Sequence, residues 1–253
     1  MAHITKSAAF RLGLMVFAAL AVLTGIEFVL ALFLNVWQLL LLVAVLKAGL
    51  VLYYYMHIYR LFESDPTLDH NSYAYKLATN RMGLWLFFIS DSFIFGGLMI
   101  ARINLLGLTH PELNQYLGLA VTSILLISSF FMNRAETAMA HGDRKQFVLG
   151  TAVTLTLGLL FLVGVVGVEW QIAPFGPGDG VQGAVFYSMT GFHAFHVLTG
   201  VIFLVIILRN GLRGRYSAEK HWGVEACAIY WHFVDVVWVF FYPALYLVGT
   251  VIQ

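Results

Sequence analysis

The stretch ACAIYWHFVDVVWVFFYPALYLVGT, residues 226–250, decides how this chain folds. Its only ionisable side chains of ordinary acid or base type are His232 and Asp235. A helix needs about 20 apolar residues to cross the hydrocarbon of a bilayer. The stretch meets that length, so it reads as a transmembrane helix. A histidine and an aspartate three residues apart share one helix face, in surroundings where water is scarce. Either they do chemistry or they hold something in place.

Six more runs of the same kind precede it, at about 12–34, 37–59, 82–104, 115–133, 146–168 and 183–208. Only helices and closed barrels satisfy the backbone in lipid, and these runs are too long and unbroken for barrel strands. The expected fold is therefore all-α, a polytopic membrane bundle of seven transmembrane helices. The composition agrees: 60% of residues are hydrophobic and 11% charged, against about 25% charged in a soluble domain. A net charge of +1 gives no case for nucleic acid. The single cysteine, Cys227, excludes an internal disulfide, a Cys–Cys metal centre and a CxxCH haem attachment. Lys6 and Arg11 ahead of an apolar run look like a signal peptide. The run continues to about Trp37, too long for one, so it is expected to stay as a helix.

The lysines and arginines set the expected orientation. With the N-terminus inside, the inner segments hold Lys6, Arg11, Arg60, Lys76, Arg81, Arg134, Arg144, Lys145, Arg209, Arg213, Arg215 and Lys220, out of 14 in the chain. The positive-inside rule then puts the N-terminus inside and the C-terminus outside. The basic segment Arg209–Lys220 could meet anionic headgroups or serve topology alone. The polar stretch RLFESDPTLDHNSYAYKLATNR, 60–81, marks a seam. It divides the chain into a two-helix hairpin (1–62), a polar inner linker (63–80) and a five-helix domain (81–253).

Ionisable side chains inside a membrane are costly and are candidates for function. Here they are Glu27, Lys47, Asp91, His193, His196, His232 and Asp235. At 1.5 Å per residue, Asp91 and Asp235 fall roughly 14 Å deep and His196 roughly 18 Å. Asp91 and Asp235 are each expected to be hydrogen-bonded to a histidine or a buried hydroxyl inside the bundle. His193 and His196 share a face at the same spacing as His232 and Asp235. Glu27 and Lys47 are placed to form an interhelical ion pair locking the hairpin, with a proton relay as the other reading. Histidines one turn apart on a single helix do not oppose each other across a porphyrin, so no haem or metal site is expected. Pro66, Pro111, Pro174 and Pro177 fall in loops and Pro243 late in the last helix. Unbroken helices argue against a transporter, whose site is built from interrupted ones.

Three stretches resemble subunit III of the haem-copper terminal oxidases. RMGLWLFFISDSFIFGG (81–97) is similar to that family's W-x-F-L-x-S-E helix. Glu169-Trp170 followed by DGVQGAVFYSMTGFHAFHVLTG (179–200) is similar to its acidic-aromatic pair, D-G-x-x-G and T-G-F-H-x-x-H-V-x-x-G run. YWHFVDVVWVFFYPALYL (230–247) is nearly its W-H-F-V-D-x-V-W helix. The likeness covers about residues 80–250. LKAGLVLYYYMHIYRLFE (46–63) resembles the small subunit IV of bacterial cytochrome oxidases. The chain thus looks like a subunit IV-type hairpin ahead of a five-helix subunit III, in place of the family's own first two helices and the lipid cleft they bound.

The resemblance implies a non-catalytic subunit of a bacterial proton-pumping oxidase in the cell (inner) membrane, which reduces O₂ to water on haem and copper held by partner subunits. It implies no cofactor in this chain, bound phospholipid, subunits I and II as partners, and cytochrome c as donor to the complex rather than to this chain. It also implies support of proton uptake by subunit I. The tuning candidates are Asp91, which stands where the family usually has glutamate, and His193, His196, His232 and Asp235. Glu169 and Asp179 fall in its signature outer loop. A quinol oxidase or nitric oxide reductase subunit is the alternative. An autonomous haem-b or ion-carrier protein is the rival from another class.

Overall fold

The computed structural model describes residues 5–34, 36–62, 69 and 72–251. Among them are seven helices long and apolar enough to span a membrane: α1 Lys6–Phe33, α2 Trp37–Tyr55, α3 Tyr73–Leu106, α4 Gln115–Ala140, α5 Arg144–Ile172, α6 Gly180–Leu212 and α7 Trp222–Leu247. Part of the expected polar linker, 63–68 with 70 and 71, lies outside the described residues.

Most helices outrun their apolar windows, because capping side chains recruit polar flanks. Ser72 accepts from Tyr75 N at 3.1 Å, so α3 starts more than two turns ahead of its hydrophobic run. Asn114 and Asp143 cap α4 and α5 in the same way. α3 stops at Gly107, whose φ of 57° suits a residue without a Cβ.

The helices are less regular than expected. α2, α5 and α7 pass into π-helical turns at Val51–Tyr55, Val163–Glu169 and Pro243–Leu247. In the last, Pro243 has no N–H to donate, and Val248 N bonds back to Pro243 O at 2.9 Å, a five-residue step. These turns lie at helix ends and do not split a helix at its middle.

α7 is the axis of the bundle. Of its most apolar window 83% is buried, against 22% for α1 and for α3. It packs on α3, α4, α6 and the hairpin. α1 lies along α4 and α2 along α7, so the hairpin is joined to the five-helix block rather than standing off it. The outward residues of the peripheral helices, such as Leu14, Leu86, Phe93 and Phe195, are exposed aliphatic or aromatic groups, as a lipid-facing surface requires. At one end a two-residue parallel bridge, Thr109–His110 with Thr250–Val251, ties the α3–α4 loop to the chain beyond α7.

Candidate functional site

Helix α4 presents a ladder of hydroxyls to α7. Trp231 Nε1 donates to Ser128 Oγ at 3.0 Å and Trp238 Nε1 to Thr122 Oγ1 at 2.9 Å. Between them His232 Nδ1 lies 3.2 Å from Ser129 Oγ. Asp235 stands beside the same Ser129 hydroxyl and faces Lys47. In hydrocarbon the alternative to each bond is an unsatisfied polar group, so the ladder fixes the rotation of α7. His232 and Asp235 therefore meet on one seam, lined also by Tyr55 of α2, whose ring centre is 5.0 Å from that of His232.

Asp91 and His196 meet on the other side of α7. Asp91 Oδ2 is 3.2 Å from His196 Nε2, at ion-pair distance but off the angle of a hydrogen bond. The Tyr230 hydroxyl sits 2.5 Å from Thr199 Oγ1 and 3.2 Å from His196 O. These polar groups line a lateral groove of about 770 Å³ with Leu84, Phe203 and Cys227. His193 does not join them. Its ring lies against Trp238 and Phe161, at centroid distances of 4.8 and 5.6 Å, with neither ring nitrogen bonded. Positions i and i+3 differ by about 60° around a helix of 3.6 residues per turn. At the α5–α6–α7 junction that angle separates the two histidines onto different neighbours.

Lys47 Nζ donates to Glu27 Oε2 as a fully buried ion pair across the hairpin. Beyond it, the Tyr246 hydroxyl donates to Glu169. Asp179 Oδ2 accepts from Gly176 N at 2.6 Å and closes the turn that starts α6.

Sequence reading missed two clusters. At the end of the bundle where α1 begins, Arg81 grips both carboxylate oxygens of Glu225, Nε to Oε1 at 2.7 Å and Nη2 to Oε2 at 3.0 Å. Arg60 reaches the same carboxylate at 3.4 Å, and buried Glu136 lies close to both. His57 is beside them, and burial, helped by Arg60, pushes its imidazole down to about 3. At the opposite end Arg102 is 1% exposed. It donates to Ala244 O (2.7 Å), Gly107 O (2.5 Å) and Thr109 O (2.6 Å). Glu225 lies 144 residues from Arg81 and Ala244 lies 142 from Arg102, separations that no spacing rule reaches, whereas Gly107 and Thr109 are only 5 and 7 residues from Arg102. The signal in sequence was a charge close to a span end.

No set of three His, Cys, Asp or Glu side chains among the described residues converges as metal ligands would. Lys47–Glu27, Arg81–Glu225 and Asp91–His196 are oppositely charged or acid–base partners that face each other.

The family model described as "Cytochrome c oxidase subunit III" matches residues 1–250. The match includes α1 and α2, where motif resemblance to that family alone reached only about residues 80–250. Proteins named cytochrome c oxidase subunit 3 from Cyprinus carpio, Sus scrofa and Bos taurus are each 36% identical over 183 residues, covering 67% of this chain and 70% of the relative. Taken with seven membrane-spanning helices, these matches show that the chain belongs to the cytochrome c oxidase subunit III family.

Proposed function

We propose that the chain is a non-catalytic subunit of a proton-pumping haem-copper oxidase, bracing the catalytic subunit and supporting its proton uptake. The observation that carries this reading is the family match through both hairpin and five-helix block. The site chemistry is consistent with it, because the buried charges face one another rather than converging on one reaction point. The relatives' names favour cytochrome c over a quinol as donor to the complex, with subunits I and II as partners. The cluster of lysines and arginines at the end where α1 begins supports an N-terminus on the inner side of the membrane. The hairpin's likeness to a bacterial subunit IV supports a bacterial cell membrane. An apolar cavity of about 340 Å³ between α2, α3 and α7, lined by Trp37, Leu41, Met99, Ile103 and Phe240, supports bound lipid chains.

The test is purification of the tagged full chain in mild detergent, with mass spectrometry of its partners and a reduced-minus-oxidised spectrum. Co-purification of a haem-bearing subunit I, with the haem leaving this chain on dissociation, is expected. A chain that purifies alone with its own haem band overturns the reading and returns His193, His196 and His232 to the status of ligand candidates.

A further inference from the structure

Several buried polar atoms without a protein partner belong to residues of α4, α7 and the chain just beyond α2. A cavity of about 490 Å³ opens at the end of the bundle where α1 begins, lined by His57, Arg60, Arg81, Asn133, Glu136 and Glu225, among others. Glu136 Oε2 and His57 Nδ1 face this region unbonded. Next along the seam of α2, α4 and α7, His57 lies within electrostatic reach of His232, whose Nε2 is also unbonded. One turn further, Asp235 Oδ2 is unbonded. Glu136, His232 and Asp235 are 5%, 0% and 3% exposed. His57 is held with φ of 51°, the only non-glycine residue described with positive φ. That conformation costs about 1–2 kcal/mol and persists where the surrounding structure demands it.

Glu136 and His57 line a polar cavity of that volume, and the unbonded His232 Nε2 and Asp235 Oδ2 belong to α7 alongside Tyr55, which lines it too. A site must be polar and roomy and offer each water two to four partners. The groups facing Asp235 are Ser129 from α4, Tyr55 and Lys47 from α2, and His232 on its own helix. The Tyr55 hydroxyl is already committed to Gly13 O at 3.1 Å. Lys47 lies just beyond Asp235, bonded to Glu27. A fixed ammonium repels an excess proton moving along a water chain.

We propose that this seam is a proton-exchange file: internal water, held by Glu136, His57, His232 and Asp235, connects the cavity to Asp235, and the Lys47–Glu27 pair closes it toward the other face. A proton delivered from the cavity converts the Asp235 carboxylate to the acid, and its return restores the carboxylate. No electron moves and no other bond changes. The imidazoles of His57 and His232, with two ring nitrogens each, hand the proton on between waters. The file is a reservoir open at one end, not a through-channel, and it does not depend on which oxidase the chain serves.

The test is infrared spectroscopy of the complex containing the full chain. The Asp235 acid band is assigned from the difference between the unchanged chain and Asp235→Asn. If that variant does not assemble, Asp235→Glu keeps an acid there and moves its band, giving the same assignment. The band is expected to grow as pH is lowered and to shift promptly on transfer to D₂O. His57→Phe should slow the shift about tenfold or more, the loss expected of one relay hydrogen bond. Thr156→Val, on the exposed face of α5, should leave it unchanged. An acid band that does not respond to D₂O, no acid band at any pH the complex tolerates, or exchange as fast in His57→Phe as in the unchanged chain would each overturn the proposal.

Discussion

Trp231 of α7 donates its indole N–H to Ser128 of α4 while its ring lies where a Cβ on Gly158 of α5 would stand, 2.5 Å from Cη2. The same ring bars a Cβ on Gly200 of α6, 2.9 Å from Cε3. One side chain thus sets how closely three helices approach the axis. Small residues at such crossings are how membrane helices gain van der Waals contact without a hydrophobic driving force.

Gly158→Val should therefore push α5 off α7 and destabilise the subunit by about 1–3 kcal/mol, the range for overpacking. Thermal unfolding in detergent, followed by near-UV signal from the tryptophans, reads the change. Gly97, whose Cβ would meet nothing within 4 Å, is the control position, and Gly97→Ala should be nearly silent.

The Lys47–Glu27 pair is fully desolvated. Lys47→Met leaves a buried carboxylate alone and should cost about 3–5 kcal/mol, whereas Lys47→Met with Glu27→Gln should recover much of it. A double-mutant cycle on unfolding midpoints checks this. Additive losses would mean the two residues act separately.

Arg102 holds three carbonyls with a planar fork that lysine does not reproduce. Arg102→Lys should loosen the α3–α4 loop from the last turns of α7, at about 1–3 kcal/mol for the carbonyls left unbonded. Limited proteolysis between Gly107 and Asn114 should speed up, while the helices stay protected.

Lys6 holds the Asp143 carboxyl below its ordinary value of 3.8, aided by the backbone N–H of Gln146. A carboxyl with a depressed folded value adds stability that is fully present above the unfolded value and lost as pH falls through the folded one. The α1–α5 tie should thus persist at neutral pH and be lost only as pH falls below 3.8. Lys6→Ala should shift that loss toward higher pH, read as the acid midpoint of unfolding. Asp143→Asn should keep the helix cap and abolish the acid dependence.

Asp91→Leu removes the carboxylate that faces His196 in the lateral groove. The complex should assemble, because no protein hydrogen bond to Asp91 Oδ2 is lost, but its active life during turnover should shorten. Unchanged turnover-dependent inactivation would remove Asp91 from any tuning role.

Seven spans were legible in the sequence because hydrophobic length is a local, one-dimensional property, and a backbone in lipid has almost no alternative to a helix. The motif around His232 and Asp235 pointed to the right family for the same reason: it lies within one helix. What the sequence left open was the partner of Asp91 and of Glu225. Asp91 meets His196 and Glu225 meets Arg81 across separations of more than a hundred residues. Only the packing of α3 against α6 and α7 settles these pairs. The split of His193 from His196 has the same origin: a turn of about 60° counts for little along one helix, but it selects a different neighbour once three helices close around it. The π-helical turns were invisible too, since they answer to packing and to one missing proline N–H rather than to hydropathy. Hydropathy thus determined how many times the chain crosses the membrane. The tertiary structure decided which polar groups face each other, because in a low-dielectric interior each must find its partner among whatever side chains packing brings within reach.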